Sequence, residues 1–143
     1  MTAKEFFQQV RTAENELKMI AAKCRHYEDI GLSMAINISG MPSSGKKGTS
    51  RVEMAAVGAT DALTALEAQR AHYSRIIAQA EAVINLIPQE KYRQILNYRY
   101  LCGWSFRSIS DELEYNDPNS IYRAHGWALA EAQKVIDSME ELT

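Results

Sequence analysis

The feature that most constrains this chain is a hydrophobic repeat of 3.5 residues that occurs twice. Small or apolar side chains recur at Phe6, Val10, Ala13, Leu17, Ile20, Cys24, Tyr27, Gly31, Met34 and Ile38, at alternating intervals of four and three. They recur again at Val52, Ala56, Ala59, Leu63, Leu66, Arg70, Tyr73, Ile77, Ala80, Ile84 and Ile87, where Arg70 alone breaks the stripe. A 3.5-residue period puts a narrow apolar seam along one side of a helix, as in coiled coils. Strands need period-two alternation, and no segment sustains it. The stretch between the seams, about 39–50, holds Pro42 and three of the seven glycines and reads as a loop. Two seams of similar length joined by a polar loop predict a long antiparallel helical hairpin over residues 1–87. Each arm would be roughly 50 Å long. Such a hairpin leaves apolar surface for a second copy, which would make a homodimer through the hairpin, or for another partner such as RNA polymerase.

Residues 88–143 are built differently. They hold both tryptophans and five of the seven tyrosines. Their apolar positions come in short blocks that predict helices near 89–101, 105–114 and 118–140. Gly103 would make the first turn and Glu114-Tyr-Asn-Asp117 the second, with Pro118 in the first turn of the last helix. A short helix, a tight turn and a second helix are the parts of a helix-turn-helix. The expected fold is therefore all-α, a hairpin followed by a helix-turn-helix.

Little else in the chain suggests chemistry. Gly40-Met-Pro-Ser-Ser-Gly45-Lys46-Lys47 nearly fits a phosphate-binding loop, but Lys47 stands where Ser or Thr should hold magnesium, and no strand precedes it. His26, His72 and His125 fall on different predicted helices, without a repeated metal-ligand spacing. Cys24 lies in the seam, as a small buried hydrophobe would. Asp111-Glu112 and Glu140-Glu141 are sequence neighbours, which point in different directions on a helix. No enzyme activity, cofactor or metal is expected. No membrane span and no signal peptide are expected either, and the two distant cysteines suit a reduced, cytoplasmic protein.

On the second helix of the predicted helix-turn-helix, Ile121, Ala124, Ala128 and Leu129 should face inward. Asn119, Ser120, Tyr122 and Arg123 are then left on the outer face, near the helix N-terminus. Side chains there reach base edges in a major groove, and Arg123 could bind a guanine in bidentate fashion. Arg107, at the start of the supporting helix, suits a backbone phosphate.

The stretch Leu86-Ile-Pro-Gln-Glu-Lys-Tyr-Arg-Gln-Ile-Leu-Asn-Tyr-Arg-Tyr-Leu-Cys-Gly-Trp-Ser105 resembles the start of sigma factor region four. Arg99-Tyr100, Gly103 and Ser105 match its helix end, turn and helix opening. Phe106-Arg-Ser-Ile-Ser-Asp-Glu-Leu113 resembles its supporting helix. Ile121-Tyr-Arg-Ala-His-Gly-Trp-Ala-Leu129 is similar to the recognition helix of small phage and prophage proteins of the ArpU/RinA type, regulators of late genes in Gram-positive bacteria. Such proteins also carry a helical hairpin ahead of the sigma-like part. The resemblance implies binding to double-stranded promoter DNA together with RNA polymerase, with base reading by Asn119, Ser120, Tyr122 and Arg123. Two positions depart from the pattern. The turn is about one residue longer, with Asp117-Pro118 in place of a Ser cap, and Glu114 stands where the family has glycine.

Two other readings stay open. One is a polymerase- or sigma-binding adaptor that does not touch DNA. The other is a packaging-associated protein of the small terminase kind. Charge bears on all three. Residues 1–87 carry 10 basic and 9 acidic side chains, and residues 88–143 carry 6 and 9, so the part expected to meet DNA has a net charge of -3. Few basic groups mean weak nonspecific affinity and a shallow salt dependence. This part should bind DNA poorly alone and rely on dimerisation or polymerase.

Overall fold

The computed structural model describes residues 1–40 and 46–142. Side chains at 33–40, 46–52 and 55 lie outside the described residues, as do the seam members Met34, Ile38 and Val52 and the centre of the phosphate-loop-like motif. The fold is all-α. Its elements are α1 (Ala3–Gly40), α2 (Lys46–Asn85), α3 (Glu90–Leu96), a π-helical turn (Asn97–Leu101), α4 (Phe106–Glu112) and α5 (Pro118–Glu141), with no strand among the described residues. Nor, among them, is any helix long and apolar enough to cross a membrane.

The loop is shorter than the expected 39–50, because α1 runs to Gly40 and α2 starts at Lys46. A lone glycine costs a helix only about 1 kcal/mol, so Gly48 does not stop a helix that propagates from the residues after it.

Packing divides the chain into two compact units, Met1–Ala13 with Ser74–Thr143, and Glu14–Tyr73. This boundary differs from the sequence division at Pro88, for a physical reason. Phe7 and Val10 from the start of α1, and Val83, Ile84 and Ile87 from the end of α2, are all buried. They belong with the C-terminal helices in the first unit. Gln133 of α5 helps hold the chain start there: its Oε1 accepts from Ala3 N–H at 2.6 Å, and its Nε2 donates to the Met1 carbonyl. Pro88 follows the end of α2 and lies within the first unit. The turn after it is closed by Arg93, whose Nη1 donates to the Ile87 and Pro88 carbonyls at 2.6 and 2.9 Å.

In the second unit, Cys24 of α1 and Leu66 of α2 are buried, and the Tyr27 ring lies so close to Gly58 that a Cβ there would sit 2.7 Å from it. The Tyr73 hydroxyl is pushed above its ordinary pKa by burial and then by nearby Glu14, while Lys18 opposes the shift. The buried stripe of α2 also corrects the sequence seam. Leu63 and Arg70 are exposed, whereas Ala62 and Gln69 are half-buried in their place. The stripe therefore runs through Gly58, Ala62, Leu66, Gln69 and Tyr73, and Arg70 never interrupts it. A slip of one residue in the opposite direction occurs at the start of α1, where Phe7 is fully buried and Phe6 only partly.

Candidate nucleic-acid interface

Ile95 of α3, Ile109 of α4, and Ile121 and Ala124 of α5 form one buried cluster, with Tyr92, Tyr98, Trp104, Phe106, Leu113 and Tyr115 packed around it. These side chains fix α4 against α5. The chain reaches α4 through the π-helical turn, in which Cys102 N–H donates to the Asn97 carbonyl at 2.9 Å. The apolar spacing alone predicts a regular helix up to residue 101. Three consecutive side chains override it, each held by its own partner. Tyr98 stacks on Trp104 at 4.3 Å, the Arg99 guanidinium lies 4.1 Å over the Phe106 ring, and Tyr100 stacks on Phe7 at 5.0 Å. Gly103, at φ +74°, then makes the turn as expected. Ser105 caps α4, its Oγ accepting from Ser108 N–H at 3.1 Å.

The connection from α4 to α5 is a Schellman turn. Tyr115 N–H donates to the Ser110 carbonyl at 2.9 Å and Glu114 N–H to the Asp111 carbonyl at 3.3 Å. Such a turn needs one residue in the left-handed region, and here it is Glu114, at φ 61°. Glycine adopts this conformation most readily, and here a glutamate holds it. A side chain with a Cβ is strained there by roughly 1–2 kcal/mol. Asp117 then caps α5 by accepting from Asn119 N–H at 3.0 Å, with Pro118 opening the helix. Asp117 thus does the work expected of a Ser cap.

Arg107 is exposed in the first turn of α4, and Asn119 and Arg123 are exposed in the first two turns of α5. Ser120 is half-buried, with its N–H donating to the Asp117 carbonyl. Tyr122 is 56% exposed, but one side of its ring rests on Phe106 at a centroid distance of 5.0 Å. It therefore links the two helix starts as well as facing outward. Arg123 is tied back to the cap, with Nη2 3.4 Å from Asp117 Oδ2. Both groups are more than half exposed, so the pair is weak in water and an anion can compete for the guanidinium. Asp111, Glu112, Glu114 and Asp117 are all exposed around this turn.

Behind the turn lies His125, with Nε2 2.8 Å from the Tyr100 hydroxyl and its ring edge-on to Phe106 at 4.9 Å. Burial, then Arg99 and Lys4, lower its pKa to about 4. The imidazole is neutral at pH 7 and shares one proton contact with Tyr100, whose own pKa burial raises. This pair is a structural contact beneath the exposed face.

Sequence reasoning missed two participants. Trp127 is 58% exposed on α5. It continues the Asn119–Arg123 line at four-residue spacing, and that spacing was the available signal. The ion pair between Arg123 and Asp117 was missed as well, because a six-residue separation around a helix start is not a regular helical contact. Among the described residues, no cluster of three or more His, Cys, Asp or Glu side chains could hold a metal ion. Comparison with family models, curated proteins and solved structures finds no match.

Proposed function

We propose that α4 and α5 form a helix-turn-helix that binds double-stranded DNA, in a transcription regulator of the phage or prophage sigma-region-four-like kind. The observation that carries this reading is the locked junction. A Ser-capped short helix, a Schellman turn and an Asp-capped long helix share one core and leave Arg107, Asn119 and Arg123 exposed at the helix starts. Helix N-termini with exposed Arg and Asn suit phosphate and base-edge contacts in a major groove. In this reading α5 is the recognition helix, Arg107 holds phosphate, and Arg123 reads a base after leaving Asp117. Residues 14–73 form part of an antiparallel hairpin, a reading supported by the closeness of Tyr27 to Gly58 and of Tyr73 to Glu14. RNA polymerase supplies the affinity that the acidic turn withholds.

Selection of bound duplexes from a random pool, with and without host RNA polymerase, tests the proposal. Enrichment of a defined motif is expected. Failure to retain any duplex under both conditions, at low salt, contradicts it. The acids at 111, 112, 114 and 117 favour a second reading, an adaptor that binds polymerase or sigma without touching DNA. Polymerase binding with no duplex enrichment would support that reading.

A further inference from the structure

We propose that the start of α1 belongs to the DNA interface: Lys4 and Arg11, together with Arg99, form a basic strip that holds phosphates beside the stretch of duplex met by α5. This inference rests on the DNA-binding reading of α4 and α5, and it adds residues outside the helix-turn-helix. Phe7 is the geometric anchor. It is fully buried and stacks on Tyr100 at 5.0 Å, and Ala3 N–H is fixed by Gln133 of α5. The first turns of α1 are therefore held against the C-terminal helices. Lys4 stands three residues before Phe7 and Arg11 four after it, which turns both roughly 40–60° to the same side of that ring. Both cations are exposed, and neither forms an ion pair among the described residues.

The strip is continuous with the candidate interface. Lys4 lies near enough to His125 of α5, and Arg11 near enough to Arg99, to act on their protonation. The Arg99 guanidinium lies over Phe106, the ring on which Tyr122 rests, and Phe106 directly precedes Arg107. All of these residues belong to the first unit. Charge complementarity identifies the occupant. Burial and then Arg11 lower the pKa of Arg99, so the two cations repel each other and an anion laid across them would relieve the repulsion. Lys4 and Arg11 are about 10 Å apart along α1. That length suits an extended polyanion, since it matches about three phosphate steps of one DNA strand. The duplex met by α5 supplies such a row of phosphates. The strip thus offers phosphate contacts that residues 88–143, at a net charge of -3, largely lack.

Anisotropy titrations of the full chain without polymerase, over a range of salt, against a selected duplex and an unrelated one, test it. The wild type should bind both at low salt. The double variant Lys4→Ala, Arg11→Ala should weaken both about tenfold at roughly 100 mM salt and reduce the salt slope by about two, with the preference for the selected duplex kept. Gln8→Lys, at an exposed position between the two cations, should steepen the slope by about one, which a merely structural role would not do. An unchanged slope in the double variant overturns the proposal, including where polymerase binding is weakened instead. If the double variant loses helicity, Gln8→Lys decides, and an unchanged slope there overturns the proposal. A wild type that retains duplex only with polymerase present overturns this proposal and leaves the DNA-binding reading intact. Failure to retain duplex under either condition overturns both.

Discussion

The two compact units bury side chains in different ways. The unit containing Met1–Ala13 and Ser74–Thr143 has a dense core in which Phe7, Ile84, Ile95, Leu96, Ile109 and Ile121 are at or near zero exposure. Aromatic contacts surround that core. The unit from Glu14 to Tyr73 buries Cys24 and Leu66 among its described side chains and leaves Met19, Leu32, Met54, Val57 and Leu63 exposed. Both units rest on the same two long helices. What differs is the number of elements in each unit. Where α3, α4 and α5 join the long helices, large side chains are enclosed on all sides. In the unit from Glu14 to Tyr73, small residues and half-buried rings fill a narrow contact, and large apolar side chains stay exposed.

Core truncation should widen this contrast most. Phe7→Ala removes a fully buried ring stacked on Tyr100, and should cost about 3–5 kcal/mol in denaturant unfolding. Leu66→Ala, in the two-helix unit, should cost only about 2 kcal/mol, the low end for such a change, because the narrow contact can collapse. Equal losses would contradict the comparison.

Acid should act on the first unit. The folded state holds His125 neutral, with a pKa lowered from 6.5 to about 4, so the unfolded chain takes up a proton that the folded one refuses. The stability from this site is fully present above pH 6.5 and is lost as pH falls toward 4. Allowing for partial exposure, the loss is on the order of 1–2 kcal/mol. His125→Gln should flatten that part of the stability–pH curve.

The junction between α4 and α5 gives the smaller effects. Asp117→Ala should cost about 1 kcal/mol through loss of the α5 cap, whereas Asp117→Asn should keep the cap and free Arg123. Glu114→Gly should leave stability unchanged or raise it by up to about 1 kcal/mol, since relief of the left-handed strain is partly offset by the freer unfolded chain. Thermal melts of the three variants check both expectations.

These contrasts also explain how much could be read in advance. Helix positions were legible because two long 3.5-residue repeats, Gly103 and the Asp117-Pro118 start are local signals. The exposed positions of Arg107, Asn119 and Arg123 followed from helical periodicity. The exact face of α2 was not legible. Ala62 and Leu63 differ little as sequence symbols, and only packing against Tyr27 and its neighbours selects one. The π-helical turn was hidden because part of its cause is tertiary: Phe7, on which Tyr100 stacks, lies more than 90 residues away, and the seven-residue separation of Arg99 and Phe106 spans a turn rather than one helix. The same holds for the first unit's membership, which depends on Phe7 and Val10 meeting helices more than 70 residues away.

The central claim is that Arg123 leaves Asp117 to read DNA. Its most direct test is an anisotropy titration of the wild type, Arg123→Ala and Arg107→Ala against a selected duplex, over a range of salt. Arg123→Ala should lower specific affinity by about ten- to a hundredfold, and Arg107→Ala should weaken all sequences alike and reduce the salt slope by about one. If Arg123→Ala binds the selected duplex as tightly as the wild type, the claim is contradicted.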